Sequence, residues 1–244
     1  MTCICALVKD EHVWMAGDLM GSNGFTKKVY PDSKVFTNGE FIFGYTSSFR
    51  MGQILQYNWQ QPPRLEGLTD REYLQLDVVE SIRSCFSSFG YGIKDGVEDI
   101  GGNFLIGYRG CIYEMQNNFS ILRSLDYIAV GSGENHAEAV LSTLIDDNPD
   151  FDPYFCLTKA ISVASKFVSS VSEDCTILTT DESFADEDGI NDVELEVDEI
   201  LTTDKIDYLK KIADDFNIKY VHNIGIEKLR DKLENYFTEG VDNK

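Results

Sequence analysis

The sequence predicts an α+β fold in which two β-sheets lie face to face and helices cover both outer faces. Residues 1–180 alternate between groups of strands and helices in the order ββ, ββ, αα, ββ, β, αα, β. The strand segments are rich in Val, Ile, Leu and Phe and alternate little, which is typical of strands buried on both faces. The chain is 43% hydrophobic, which suits a packed core. A four-layer αββα sandwich satisfies this order and this burial.

The first four predicted strands form two hairpins. TCICALV (2–8) and HVWMAGD (12–18) are apolar or β-branched runs separated only by the polar KDE. KVF (34–36) and EFIFGYTS (40–47) follow, with Asn38-Gly39 as the turn signal between them. Short apolar runs bounded by polar or glycine turns predict antiparallel strands.

Two pairs of helices alternate with the remaining strands. The helices are predicted at residues 48–59, 70–90, 134–145 and 154–171. The strands are predicted at residues 102–108, 111–116, 126–131 and 175–180. The helix at 70–90 has the clearest signals, because apolar residues recur at every fourth position from Leu74 to Phe86. Its start fits a capping box, with Thr69 as the cap and Glu72 reaching back.

The composition changes after residue 180. Residues 181–200 carry ten acidic side chains and no basic one, so we predict an acidic linker at 181–202. Residues 203–244 show two helical periods around the extended segment NIKYVHNIG (217–225). The domain prediction is therefore a core at 1–180, a linker at 181–202 and a small helix–extension–helix module at 203–244.

Charge and cysteine usage exclude several classes of function. The net charge is −21, which disfavours binding to nucleic-acid phosphates by the main body. No apolar run approaches the ~20 residues that span a bilayer, and no signal peptide is recognisable, so no membrane partner is expected. The six cysteines lack paired CxxC spacing. They are typical of free thiols in a reducing cytoplasm, and we expect neither a metal nor a cofactor.

The candidate site rests on spacings that are all counted from the second residue. Asp18 ends the second predicted strand 16 residues after Thr2, and Lys34 follows 32 residues after Thr2. IFGYTSS (42–48) comes next, and the motif GSG (131–133) lies far downstream with Ser132 at its centre. A threonine hydroxyl becomes a good nucleophile when the α-amine of the same residue takes its proton.

This set of motifs closely resembles the proteasome β-subunit family of N-terminal-nucleophile hydrolases, especially its simpler bacterial and phage homologues, over residues 2–180. The resemblance implies that Thr2 attacks the substrate carbonyl and that Lys34 lowers the pKa of its α-amine. It implies that Asp18 anchors Lys34, that Ser132 orients the amine, and that the Ser47 N–H stabilises the oxyanion. It also implies a self-assembled ring that acts on peptides or unfolded proteins. The sequence has no Walker-type loop, so any ATPase that supplies the substrate would be a separate chain.

Two features depart from the family pattern. The family places an Asp and a Ser in a DSASGG-like loop after the last long helix, where this chain has FVSSVSED (167–174). Val168 stands near the aspartate position, and Ser169, Ser170 or Ser172 could replace the serine. Only Met1 precedes Thr2, so removal of one methionine would expose the α-amine without self-cleavage.

Other interpretations stay open at this stage. The altered loop allows a catalytically inactive, proteasome-like scaffold, and the same enzyme chemistry could act on a small amide instead of a peptide. Cys3 is an alternative nucleophile, whereas the three histidines show no partner spacing for a Ser-His-Asp site. The segment at 203–244 resembles LEM or SAP modules, which implies a protein partner or weak binding to DNA.

Overall fold

The computed structural model describes residues 2–22, 25–91, 93–95, 98–181 and 228–229, with the backbone alone at 93–95 and 98–100. The chain divides into two compact units, Met1–Asp192 and Val193–Lys244. The predicted acidic linker and the helix–extension–helix module lie outside the described residues, apart from Asp181 and residues 228–229.

The elements of the first unit follow the predicted alternation of strands and helices. The described strands are β1 (Cys3–Lys9), β2 (His12–Asp18), β3 (Met20–Ser22), β4 (Lys27–Val29), β5 (Val35–Asn38), β6 (Phe41–Tyr45), β7 (Ile93–Asp95), β8 (Glu98–Ile100), β9 (Phe104–Tyr108), β10 (Cys111–Met115), β11 (Ile121–Arg123), β12 (Tyr127–Gly131) and β13 (Cys175–Thr179). The described helices are α1 (Phe49–Tyr57), α2 (Asp70–Tyr73), α3 (Val79–Ser88), α4 (Glu134–Ile145) and α5 (Pro153–Phe167), with a π-helical turn (Leu74–Val78) joining α2 to α3.

Two antiparallel sheets form the centre of this unit. The first sheet has the strand order β12-β1-β2-β13, and the second has the order β11-β10-β9-β6-β5. The predicted hairpins at β1–β2 and β5–β6 are both present. The short strands β3, β4, β7, β8 and β11 were not predicted, because three residues are too few to show a period of two.

Apolar side chains fill three layers between the elements. One cluster lies between the two sheets and includes Ile4 and Met15 from the first sheet and Ile42 from the second. A second cluster joins the five-stranded sheet to α1, α2 and α3. A third joins the four-stranded sheet to α4 and α5, and includes Cys3 and Cys5. The four-layer αββα arrangement predicted from the sequence is therefore confirmed.

Strand β1 explains why its sequence shows so little alternation. Cys3 and Cys5 face the helices, whereas Ile4 and Ala6 face the other sheet, and all four are fully buried. Successive side chains of a strand point to opposite faces, so a strand covered on both sides needs apolar residues at every position.

Helix α2 begins as the sequence predicts. The Thr69 hydroxyl accepts a hydrogen bond from the Glu72 N–H, and the Glu72 carboxylate accepts one from the Thr69 N–H at 2.9 Å. The capping box is therefore confirmed, and it satisfies two N–H groups that the first helical turn leaves without partners.

Candidate active site

A buried ion pair joins the end of β2 to the residue that precedes β5. The Lys34 Nζ donates a hydrogen bond to Asp18 Oδ1 at 2.7 Å and another to the Met20 carbonyl at 2.7 Å. Only 2% of the Lys34 side chain is exposed, and none of the Asp18 side chain is. Two charges held out of water in this way need good geometry and further hydrogen bonds, and Asp18 has both.

Three backbone N–H groups orient the Asp18 carboxylate. The Cys3 N–H donates to Oδ1 at 2.9 Å, and the Met20 N–H donates to Oδ2 at 2.9 Å. The Ser172 N–H, from the loop between α5 and β13, donates to Oδ2 at 3.2 Å. Each carboxylate oxygen therefore accepts two hydrogen bonds, and the carboxylate is fixed by donors from three separate segments.

The Lys34 ammonium is less stable than it would be in water. Burial lowers the pKa of Lys34 below its ordinary value of 10.5, and the nearby Asp18 carboxylate only partly offsets that effect. The ammonium is thus held in place by Asp18 while its positive charge is poorly screened by solvent. A field of this kind acts strongly on any group that lies next to it.

Thr2 lies at the wall of a small cleft that Lys34 also lines. The cleft has a volume of about 100 Å³ and is bordered by β3 and by the turn from β6 to α1. Thr2 is 4% exposed, and its main-chain nitrogen donates to Ser132 Oγ at 3.2 Å. Thr2 and Lys34 therefore line one cleft, Asp18 holds Lys34, and Ser132 accepts from the nitrogen of Thr2.

Ser132 belongs to a chain of hydroxyl groups. Its Oγ donates to the Thr2 carbonyl at 3.1 Å, and this hydrogen bond uses the single proton of the Ser132 hydroxyl. The Ser170 Oγ lies 3.0 Å from Ser132 Oγ, and Ser170 must therefore donate in that hydrogen bond. Of the three serines that the sequence left open, Ser170 is the one that contacts Ser132.

Ser172 has a different task in the same loop. Its Oγ accepts from the Leu19 N–H at 2.9 Å and donates to the Asp174 carbonyl at 2.8 Å, while its own N–H holds Asp18. The loop after α5 thus supports the site at two points. Ser172 holds Asp18 of the ion pair, and Ser170 contacts Ser132. Sequence reasoning could not assign these roles, because both residues sit in one run of similar side chains.

The two glycines of the GSG motif allow Ser132 to approach Thr2. A Cβ atom at Gly131, whose φ is +100°, would lie 2.4 Å from the Thr2 carbonyl oxygen. A Cβ atom at Gly133 would lie 2.7 Å from Cys3 Cβ. Any side chain at either position would push β12 and the start of α4 away from the beginning of β1.

Ser47 lies in the same cleft with an unusual backbone conformation. Its φ is +67°, in the left-handed region that favours glycine. Its hydroxyl lies 3.1 Å from Thr46 Oγ1, which donates to the Asn103 carbonyl at 2.7 Å. Within the described part of the chain, no acceptor pairs with the Ser47 N–H. The predicted oxyanion donor therefore borders the cleft with a free N–H, and Thr46 is a residue of this turn that the sequence did not indicate.

The thiol beside Thr2 is a poor competitor for the role of nucleophile. Burial, together with the charge of Asp18, raises the pKa of Cys3 to about 12, so the thiol stays protonated near neutral pH. All six cysteines are free, and no group of His, Cys, Asp and Glu among the described residues could hold a metal ion. Neither described histidine, His12 nor His136, lines the cleft.

Comparisons with known proteins find similarity in structure only. No family model matches the sequence, and no curated protein is similar to it. The fold is similar to BPH from Thiobacillus denitrificans, at 17% identity and a TM-score of 0.61 over 73% of this chain and 97% of that one. It is also similar to HslV from Trypanosoma brucei, at 15% identity and a TM-score of 0.54 over 73% and 98%.

A third solved structure is Anbu, an ancestral β-subunit, from Yersinia bercovieri, at 11% identity and a TM-score of 0.53 over 73% of this chain and 81% of that one. Identities this low show the fold alone. The chain therefore shares its fold with these three solved structures. None of the helices in the described ranges is long and apolar enough to cross a membrane.

Proposed function

We propose that this chain is a threonine-type peptidase whose nucleophile is the Thr2 hydroxyl once removal of Met1 frees the α-amine. The observation that carries the proposal is the buried Lys34–Asp18 pair, whose lysine lines the same cleft as Thr2. A buried cation beside a threonine amine is the arrangement that this chemistry needs. The free α-amine has an ordinary pKa of about 7.7–8, and a neighbouring ammonium lowers it because like charges disfavour each other.

Each residue of the site then has one task. The α-amine of Thr2 takes the hydroxyl proton, directly or through one water. Lys34 keeps that amine unprotonated, and Asp18 holds Lys34 in place. Ser132 accepts a hydrogen bond from the amine and orients its lone pair toward the hydroxyl. The free Ser47 N–H stabilises the negative charge that develops on the substrate carbonyl oxygen.

The reaction has two stages. The Thr2 oxygen attacks the peptide carbonyl, the C–N bond breaks, and the α-ammonium gives its proton to the leaving amine. An ester between substrate and Thr2 remains. Water then loses a proton to the α-amine and attacks this ester, which releases the carboxylic acid and restores the hydroxyl.

The substrate class and the assembly are part of the proposal. A cleft of about 100 Å³ is too small for a folded protein and has room for little more than one small side chain of an extended substrate. We expect a homo-oligomeric ring that encloses the sites, with unfolded protein delivered by a separate ATPase. Anbu from Pseudomonas aeruginosa forms a helical assembly, so negative-stain electron microscopy should separate a closed ring from an open helix.

Covalent labelling tests the nucleophile directly. BPH from Thiobacillus denitrificans was solved in complex with epoxomicin, so this compound is a suitable probe. We expect intact mass to show loss of Met1, one epoxomicin adduct per chain, and turnover of fluorogenic peptides. Thr2→Ala should abolish the adduct, and Thr2→Ser, the matched control, should retain it. A demethionylated protein with no adduct and no turnover would falsify the peptidase proposal.

An inactive scaffold is the second candidate, and one observation favours it. Within the described residues, only hydroxyl groups and the Thr2 main chain contact Ser132, and no carboxylate does. In that case the segment at 203–244 would recruit a protein or DNA partner. Retention of Met1 in the purified protein would support this candidate. Turnover of a small amide by a monomer would instead support an amidase.

A further inference from the structure

A second cavity, outside the cleft, lies between the start of the α2–α3 helix and the edge of the five-stranded sheet. Its volume is about 530 Å³, within the usual range for binding pockets, and it shares no lining residue with the cleft at Thr2. Its lining residues are Thr69, Asp70, Arg71, Leu74, Gln75, Cys111, Tyr113, Ile121, Leu122 and Arg123. Nothing in the proposed peptidase chemistry uses it.

The cavity extends around an open strand edge. Strand β11 is the outermost strand of its sheet, and among the described strands none pairs with its other side. Three consecutive residues of β11, Ile121, Leu122 and Arg123, all line the cavity. Successive side chains of a strand point to opposite faces, so residues of both faces of β11 border this cavity. Along its outer edge, β11 has N–H and C=O groups that no described strand pairs with.

Two arginines that have no carboxylate partner among the described residues line the cavity. Arg71 comes from α2 and Arg123 from β11, and neither forms an ion pair within the described ranges. By contrast, Arg64 and Arg109 both contact Asp70, the acidic residue of this cavity. Asp70 is thus already neutralised, and Arg71 and Arg123 are left without a carboxylate partner among the described residues.

The apolar residues around the edge divide between the two faces of β11. Leu74 is fully buried on the helix side and forms part of the cavity wall, with Ile121 packed against the same core. Leu122 points to the opposite face and is 51% exposed. A ligand that follows the strand edge would therefore meet positive charge on the helix side and exposed aliphatic surface on the other.

We propose that the free edge of β11 binds an acidic, extended peptide of a partner protein as an added strand. Main-chain hydrogen bonds to β11 supply affinity, as in other cases of strand addition. Acidic side chains on one face of the peptide pair with Arg71 and Arg123. Apolar side chains on its other face cover Leu122. The alternation of acidic and aliphatic residues in the peptide matches the two faces of the strand.

The test measures binding of a short labelled peptide to the full-length protein. The probe is a fluorescein-labelled octapeptide in which Glu alternates with Val, and the readout is fluorescence anisotropy. One control peptide replaces every Glu with Gln. Another keeps Glu and carries N-methyl groups on alternate backbone nitrogens, which removes the donors that strand pairing needs. We expect the Glu peptide to bind at least tenfold more tightly than either control.

Matched arginine variants locate the binding site. Arg71→Gln and Arg123→Gln should each weaken the Glu peptide by about threefold to tenfold, because each removes one charge-assisted contact. Arg83→Gln is the control, since Arg83 lies farther along the same helix and pairs with Glu80 at 2.9 Å. It should leave the affinity unchanged.

Four results would overturn the proposal, and all are independent of peptidase activity. Equal binding of the Gln peptide would exclude recognition of acidic groups, and equal binding of the N-methylated peptide would exclude strand addition. An effect of Arg83→Gln as large as that of Arg71→Gln would indicate only a diffuse charge effect. No binding of the Glu peptide to the full-length protein would show that the edge is not available.

Discussion

The two sides of the cleft support Thr2 by different physical means. On one side, the Lys34 ammonium and the Asp18 carboxylate form a fully buried pair that backbone N–H groups hold from three segments. On the other side, the hydroxyls of Ser132 and Ser170 form a chain of single hydrogen bonds. The first side carries charge and has little freedom, whereas the second is neutral and can reorient.

Because of this difference, mutations on the two sides should affect folding stability and catalysis to different extents. Breaking a buried ion pair leaves an uncompensated charge, which is costly because the protein interior solvates it poorly. A hydroxyl can rotate to a new partner at little cost. We therefore expect changes on the charged side to disturb folding and activity together, and changes on the hydroxyl side to disturb both much less.

Asp18→Asn should have the largest effect of any single change in the site. An Asn side chain offers one acceptor oxygen where Asp18 offers two, and it leaves the Lys34 ammonium without a counter-charge. We expect a loss of about 3–5 kcal/mol in the free energy of unfolding, measured by urea denaturation, and loss of peptide turnover. Asp10→Asn is the control, because the Asp10 side chain is 82% exposed and should change neither. An Asp18→Asn protein as stable as the unmodified chain would contradict this account.

The pH profile should report the charge of Lys34. Burial places the Lys34 pKa below 10.5, so the ammonium is lost as the pH rises through that lowered value. The Thr2 α-amine, with an ordinary pKa of about 7.7–8, is already unprotonated there. We therefore expect kcat/KM to fall because the cleft loses a positive charge that would stabilise the developing oxyanion. Between the lowered pKa and 10.5 the folded chain binds fewer protons at Lys34 than the unfolded chain does, so the titration of Lys34 does not itself unfold the chain.

The variant Lys34→Arg tests whether Lys34 causes the alkaline fall in kcat/KM. A guanidinium group keeps its proton throughout this range, so the alkaline fall in kcat/KM should move to higher pH even if the maximal rate is lower. The rise on the acidic side should stay in place if it reflects the Thr2 α-amine, with an ordinary pKa of about 7.7–8. An unchanged alkaline limb in Lys34→Arg would show that the titrating group is another residue.

The sequence predicted most of the charged side because its residues sit at fixed positions along regular strands. Asp18 ends β2 and Lys34 immediately precedes β5. Their spacings from Thr2 resemble those of a known family, and that resemblance implied a shared site. The carbonyl of Met20, which also accepts from Lys34, left no signal, because a main-chain contact does not depend on the side chain.

The hydroxyl side was harder to predict because it depends on a loop. The segment after α5 contains three serines within four positions, and their orientations follow from how the loop crosses the start of β1 rather than from a period. The turn at Thr46 and Ser47 is a similar case, because a left-handed φ at a serine is not encoded by any local preference. Strand β11 was not predicted for a third reason, because three residues are too few to show a strand pattern.

Ser170→Ala should have the smallest effect of these changes, and it tests the hydroxyl side of the cleft. The change removes the hydrogen bond that Ser170 donates to Ser132 and leaves the Asp18–Lys34 pair intact. A single hydrogen bond contributes about 1 kcal/mol to stability, so we expect the free energy of unfolding to fall by about that amount, well below the loss in Asp18→Asn. Because Ser132 keeps both of its contacts with Thr2, kcat/KM should fall by no more than about fivefold, the factor that corresponds to 1 kcal/mol. Ser169→Ala is the matched control, since Ser169 is exposed and adjacent in sequence. A loss of stability in Ser170→Ala as large as that in Asp18→Asn would show that the hydroxyl side is as rigidly built as the charged side.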